Sequence, residues 1–274
     1  MAFRFPLLAA VGLCSVLATG CLGPRIRFAQ LGPDRILTDA EVEKVHMLVV
    51  EADKLWLERA TPGSAEKSLD TLHDALKLAP HNVQALWRAA RACAWLAERV
   101  GDAKDKPQQA KLADEGIGYA QRATFVDSDR KEGYYYLALS YAMRADATPS
   151  NGLALVPLMV KALKKADEPI GGGLDHSGPD RVLAQIYLNA PPWPTSVGDV
   201  EEAVEKLENA CDQNPEFPEN HLAMAEAYIK TRKYRDARKH LERVLNAQPA
   251  PDWAPELPRL KERAEKLLEK LPQK

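Results

Sequence analysis

The chain has 274 residues, 46% of them hydrophobic but only 7% aromatic, enough apolar material for one sizeable helical body or two small ones. Its 37 basic and 39 acidic residues leave a formal net charge of -2 and are spread along the sequence. That balance argues against nucleic acid as a principal partner and describes instead a solvated helical surface.

Residues 1–20 read as an export signal. Arg4 supplies the positive start, and Leu7 to Leu17 form an apolar run too short to span a bilayer as a mature helix. The run ends in Leu17-Ala18-Thr19-Gly20-Cys21, small residues leading into a cysteine. This resembles a bacterial lipobox, with alanine in place of the usual leucine three positions before the cysteine. The resemblance implies cleavage before Cys21 and acylation of its sulfur by diacylglycerol carrying chains such as palmitate. Ordinary secretory cleavage near Ala18 is the competing reading. Leu22 stands where an inner-membrane retention signal would show aspartate, so the expected address is the periplasmic face of the outer membrane. Residues 21–37, with Gly23-Pro24, Gly32-Pro33 and three arginines, read as a tether whose basic groups lie near anionic headgroups.

Residues 38–274 form the expected folded domain. Thr38 and Asp39 offer an N-cap, and Val42, Val45, Leu48, Val49, Ala52, Leu55 and Trp56 recur at helical spacing. Ser64 to Leu78 is the partner helix, stopped at Pro80. Val83 to Val100 carries Leu86, Ala89, Ala90 and Cys93 on one face, and a polar insert over Gly101 to Pro107 precedes a helix at Lys111 to Val126. Lys131 to Ala145 and Leu153 to Ala166 give a third pair. A glycine run and Asp175-His176-Ser177 then lead to Pro179, which suits the first turn of a helix.

From Pro179 to Pro249 the same helical pair is written twice with a 34-residue period: Ala203 matches Ala237, Leu207 matches Leu241, Ala210 matches Val244, Pro215 matches Pro249. In the second copy Met224 and Tyr228 stand four apart with Ala225 between them, a bulky stripe beside a small residue that lets a second helix approach. That period and those small residues are the mark of a tetratricopeptide repeat, a helix pair that buries its apolar face by stacking on copies of itself. The expected architecture is all-α: an αα-superhelix of about five tetratricopeptide-like pairs, capped by a helix from Ala254 to Leu271.

The segment Gly178-Pro179-x-Arg181, Ile186-Tyr187, Ala190-Pro191-Pro192-Trp193-Pro194-x-Ser196-x-Gly198-Asp199 and Glu219-Asn220-His221-Leu222-x-Met224-Ala225-Glu226 resembles the T-component lipoproteins of tripartite ATP-independent periplasmic (TRAP) transporters. The likeness is closest over Tyr134 to Pro249. It implies a set of cryptic repeat pairs, association with a periplasmic substrate-binding protein, and a trimer; no ligand residue follows from the motif.

Little in the chain points to catalysis, and no cofactor is expected. None of the six histidines sits in a zinc spacing, so solvated or capping roles are expected for them and no metal site is assigned. Asp175-His176-Ser177 holds the letters of a triad, but neighbours in a loop point apart, whereas a triad needs side chains converging from separate elements. Cys93 and Cys211 fall where repeats use small residues and read as buried free thiols, a disulfide being the alternative.

What remains is a binding surface. The first helices of stacked pairs line a concave face and present Trp87, Arg91 and Trp95, then Tyr135 and Leu139, then Arg181 and Gln185, then Leu222 and Glu226. Aromatics beside a few polar groups suit an extended peptide or a small apolar ligand. Packing of Trp87 and Tyr135 between pairs is the other reading. Trp193, in the proline-rich insert, is a candidate lid residue or a structural plug. The expected function is non-catalytic: a lipid-anchored scaffold for a periplasmic or outer-membrane protein, in the first place the binding component of such a transporter. An assembly factor of the pilotin type and a binder of a small apolar ligand are the alternatives.

Overall fold

The computed structural model describes residues 36–167 and 173–272. The expected signal segment, the expected lipidation site at Cys21 and nearly all of the expected tether lie outside the described residues. Among those described there are eleven helices and no strands. They pair as α1 (Asp39–Leu57) with α2 (Ser64–Leu78), α3 (Val83–Asp102) with α4 (Lys106–Val126), α5 (Lys131–Ala147) with α6 (Pro149–Ala166), α7 (Gly178–Asn189) with α8 (Val200–Gln213), and α9 (Pro218–Lys230) with α10 (Tyr234–Asn246); α11 (Leu257–Lys270) follows. No described helix is long and apolar enough to cross a membrane.

Local chemistry sets the helix starts. Thr38 caps α1 in a capping box with Glu41, whose carboxylate accepts from the Thr38 amide at 2.9 Å. Asn82, Asp105 and Asp199 cap α3, α4 and α8 by accepting from backbone amides of the first turn. The Gly101 to Pro107 insert is mostly helical: α3 runs to Asp102 and α4 begins at Lys106, because Pro107 in a first turn lacks only an amide that would have no partner there. For the same reason α6 begins at Pro149 rather than at Leu153.

The repeat positions read from the 34-residue period are the packing positions. Ala203, Leu207 and Ala210 on α8, and Ala237, Leu241 and Val244 on α10, are all fully buried. Burying a leucine side chain stabilises by roughly 1.5–3 kcal/mol, and alanines between such residues bring partner helices close. At Gly116 of α4 an added Cβ would lie 2.6 Å from Ser140 Oγ, so three helices meet at that glycine. Val42, at the edge of the α1 stripe, is exposed, while Val45, Val49 and Ala52 carry that helix's burial.

The Ala190 to Asp199 insert is a closed turn on the surface. The amides of Gly198 and Asp199 donate to the Pro191 and Tyr187 carbonyls at 2.9 and 3.0 Å. A Cβ at Gly198 would stand 2.2 Å from the Ala190 carbonyl oxygen, a backbone atom that cannot step aside. Gly198→Ala is therefore expected to lower stability by about 1–3 kcal/mol in urea unfolding, as overpacking against backbone does.

Candidate functional site

The first helices of the pairs face inward and the chain's last segment crosses over them. Residues 250–256 are not part of α11, which begins at Leu257 rather than at Ala254. They run across the concave face to the first pair. Arg59, 6% exposed and just beyond α1, donates from Nε and Nη2 to the two Glu256 carboxylate oxygens at 2.8 and 2.6 Å, and from Nη2 to the Asp252 carbonyl at 2.8 Å. Trp95 Nε1 on α3 donates to the same carboxylate at 3.0 Å. One turn further on, Arg259 reaches Glu98 at 2.8 Å and Asp102 at 3.3 Å. Against the burial that lowers it, Glu98, Asp102 and Glu256 hold the Arg259 guanidinium above its ordinary value. α11 caps α9 and α10, as expected, and its start also ties the last repeat to the first.

Beneath this strap lies a cavity of about 90 Å³. Its walls combine aromatic rings (Trp56, Trp95, Tyr136, Phe217, Trp253) with arginines (Arg59, Arg91, Arg259) and carboxylates such as Glu98 and Asp175. Trp56 and Trp95 meet edge to face at 6.1 Å, and the Arg91 guanidinium lies 4.2 Å from the Trp56 ring. Asp53 accepts from both Arg88 and Arg91 at 2.9 Å, fixing Arg91 against that ring.

The fourth wall is a turn read from sequence only as a loop. Asp175, His176 and Ser177 are all left-handed, with φ of 51, 52 and 64°, and three such residues in a row need outside support. Arg181, 1% exposed on the first turn of α7, supplies it. Its Nη1 donates to the carbonyls of Asp175 (3.1 Å) and His176 (3.3 Å) and to Asn220 Oδ1 (2.8 Å), and its Nη2 to Asp175 Oδ2 at 2.7 Å. Asn220 returns a bond to the His176 carbonyl at 3.0 Å. Tyr135 donates to the same Asp175 oxygen; burial, and then the Asp175 charge, push its phenol well above the ordinary value, so it stays protonated to do so. The three consecutive side chains go to separate places: Asp175 to Tyr135 and Arg181, His176 to Asp252 at 3.3 Å, Ser177 to Gln213 at 3.0 Å. His176 stacks on Phe217 at 4.3 Å, and Trp253 stands edge-on to both.

Of the groove residues expected from sequence, Arg91, Trp95 and Leu139 line the cavity. Trp87 does not: it packs between pairs, stacked on Tyr136 at 6.0 Å, the second of the two readings left open for it. Tyr135 is buried behind the wall, and its neighbour Tyr136 has the lining place, a shift of one residue in the helix register. Arg181 is a buried support of the turn, Gln185 is buried away from the cavity, and Leu222 belongs to the core shared by α9, α10 and α11. Glu226 pairs with Arg263 of α11. Trp193 is 85% exposed at the tip of the insert and away from the cavity, so it is neither its lid nor its plug. Sequence reasoning missed Trp56, Arg59, Phe217 and the strap residues; Trp56 was visible only as a stripe residue of α1, and its contact with Arg91 of α3 comes from the packing of the two helices. Cys93 and Cys211 are both free and buried. His221, expected in a solvated or capping role, is 2% exposed.

A family model described as tetratricopeptide repeat matches residues 196–255, and one described as regulator of microtubule dynamics protein 1-3 matches residues 48–151. No curated protein matches the chain in sequence. Among solved structures, the chain is similar to TTC0263, a thermophilic tetratricopeptide-repeat protein of Thermus thermophilus, with a TM-score of 0.61 at 17% identity over 82% of this chain and 99% of that one. It is also similar to pilF of Pseudomonas aeruginosa, with a TM-score of 0.53 at 19% identity over 84% of this chain and 86% of that one. At such identities these likenesses speak for the fold. The chain is a protein of the tetratricopeptide-repeat fold.

Proposed function

We propose that this chain is a lipid-anchored scaffold, acylated at Cys21 and facing the periplasm, whose concave face grips a segment of a protein partner. The observation that carries the reading is the strap itself. A short stretch bearing Asp252, Trp253 and Glu256 lies in the groove, its carboxylate forked by Arg59 and bonded by Trp95, its ring set against His176 and Phe217. A surface that binds its own acidic and aromatic segment in this way offers the same chemistry to a partner's segment of that kind. The space left beneath the strap, about 90 Å³, falls well short of the roughly 300–1,000 Å³ of drug-sized ligand pockets, which favours a peptide over a small apolar ligand. The resemblance to TRAP T components names the partner to try first, a periplasmic substrate-binding protein.

A photo-crosslinking residue placed at Trp95 in the full chain, with Phe125 on the outer surface as control, tests this in cells. A discrete protein adduct from position 95, enriched when Glu256→Gln loosens the strap, is the expected result. Adducts from position 125 alone would remove the groove from the account. The mass of the mature N-terminus tests the anchor separately: a diacylated Cys21 is expected, and an unmodified one ends that half of the proposal.

A further inference from the structure

Away from the groove, three side chains from three helices converge. Cys211 near the end of α8, His221 in the first turns of α9 and His240 midway along α10 place their ligand atoms within 4.8 Å of one another. His221 Nδ1 lies 3.0 Å from His240 Nδ1 and 3.5 Å from Cys211 Sγ. The other nitrogen of His221, Nε2, is 2.7 Å from the Pro215 carbonyl. A carbonyl only accepts, so Nε2 carries the proton and the Nδ1 lone pair points into the cluster. A backbone carbonyl holding the far N–H of an imidazole is the outer-shell arrangement that orients metal-ligating histidines.

We propose that Cys211, His221 and His240 bind a thiophilic d10 cation, Zn²⁺ or Cu⁺, as a clamp across α8, α9 and α10. Thiolate and imidazole donors select such ions, with bonds of about 2.0 Å to nitrogen and about 2.3 Å to sulfur. Those lengths set the donor atoms roughly 3.4–3.7 Å apart, so seating the ion opens the imidazole pair by a few tenths of an ångström and brings the Cys211 and His240 donor atoms, which lie within 4.8 Å of each other, to the same spacing. Without a cation, the one lone pair of His221 is shared between the Cys211 thiol and the His240 N–H. With it, each donor has its own bond. Burial, then His221 and Arg243, push His240 down to about 4, so that imidazole is neutral at neutral pH; on binding, its one proton moves from Nδ1 to Nε2 through solvent, which frees the Nδ1 lone pair for the ion. The Cys211 thiol is pushed up to about 12 by burial; it binds as the thiolate, and its proton leaves to solvent as the metal–sulfur bond forms. His240 is half-buried and gives the ion its way in.

The test is titration of the reduced full chain with Zn²⁺ and, separately under anaerobic conditions, with Cu⁺, using Co²⁺ as an optical reporter for the thiolate. A saturable thiolate-to-cobalt charge-transfer band, displaced by Zn²⁺, and a rise in unfolding temperature with Zn²⁺ or Cu⁺ are expected. The ion that raises it further is the occupant. Cys211→Ser is expected to weaken binding by at least about a hundredfold and His240→Ala by at least about tenfold, with helical circular dichroism unchanged. His240→Ala removes a half-buried side chain, so its folding does not mask the result. A band that survives in Cys211→Ser, or no shift in unfolding temperature with either ion, overturns the proposal.

Discussion

Arg181→Met is expected to lower the unfolding free energy of the full chain by about 3–5 kcal/mol, the cost of removing one member of a buried charged network. The Arg181 side chain is 1% exposed and its guanidinium makes four hydrogen bonds to protein groups. Methionine fills similar volume, so the loss is electrostatic and conformational rather than a cavity. Two consequences follow together. Asp175 keeps Tyr135 but loses its positive partner. The left-handed residues 175–177, which cost roughly 1–2 kcal/mol each, lose the donor that holds their carbonyls. Arg181→Lys is expected to recover only part of the loss, because an ammonium cannot reach a carboxylate, two carbonyls and an amide oxygen in one plane. Urea unfolding of the three proteins checks it. A loss below about 1 kcal/mol in Arg181→Met would mean that the turn holds itself.

This arginine shows where sequence reasoning stops. Its place in the repeat marked it as facing the groove, yet its side chain is buried and does not line the cavity. What the period could not say is that the turn before α7 doubles back under it and takes the inward position. The same limit shows in α5, where helical spacing identified the inner face but Tyr136, not Tyr135, reaches the cavity. Burial was far more legible: Ala203, Leu207, Ala237 and Leu241 were named from the 34-residue period, and all are fully buried. Burial of one face of a helix is a local property of spacing. How far five stacked pairs curl is the sum of small rotations at every interface, and it is this curl that brings Glu256 to Arg59. The cysteine and histidines stayed hidden for a related reason. Metal motifs are recognised by ligands a few residues apart, whereas here each ligand comes from a different helix.

Closure of the ring predicts that Glu256→Ala acts at a distance from its own helix. It removes the carboxylate that satisfies Arg59 and Trp95, leaving a guanidinium that is 6% exposed beside Trp56 and without its ionic partner. Docking of the strap is expected to weaken by about 3–5 kcal/mol. Since each 1.4 kcal/mol is a tenfold change in an equilibrium, amides at residues 252–260 should exchange at least roughly a hundredfold faster, and those at the end of α1 should follow. The core formed by α9 and α10 need not change, because Leu222, Leu241 and Val244 pack without the strap. Removing the Lys266–Glu262 pair, which is solvated on the outer face of α11, is expected to leave exchange as it was. Faster exchange along α11 without any change at α1 would show that the segment merely caps the last repeat. A matched rise at both ends would establish that the groove is held shut by its own chain, and that a partner must compete with Glu256 to enter.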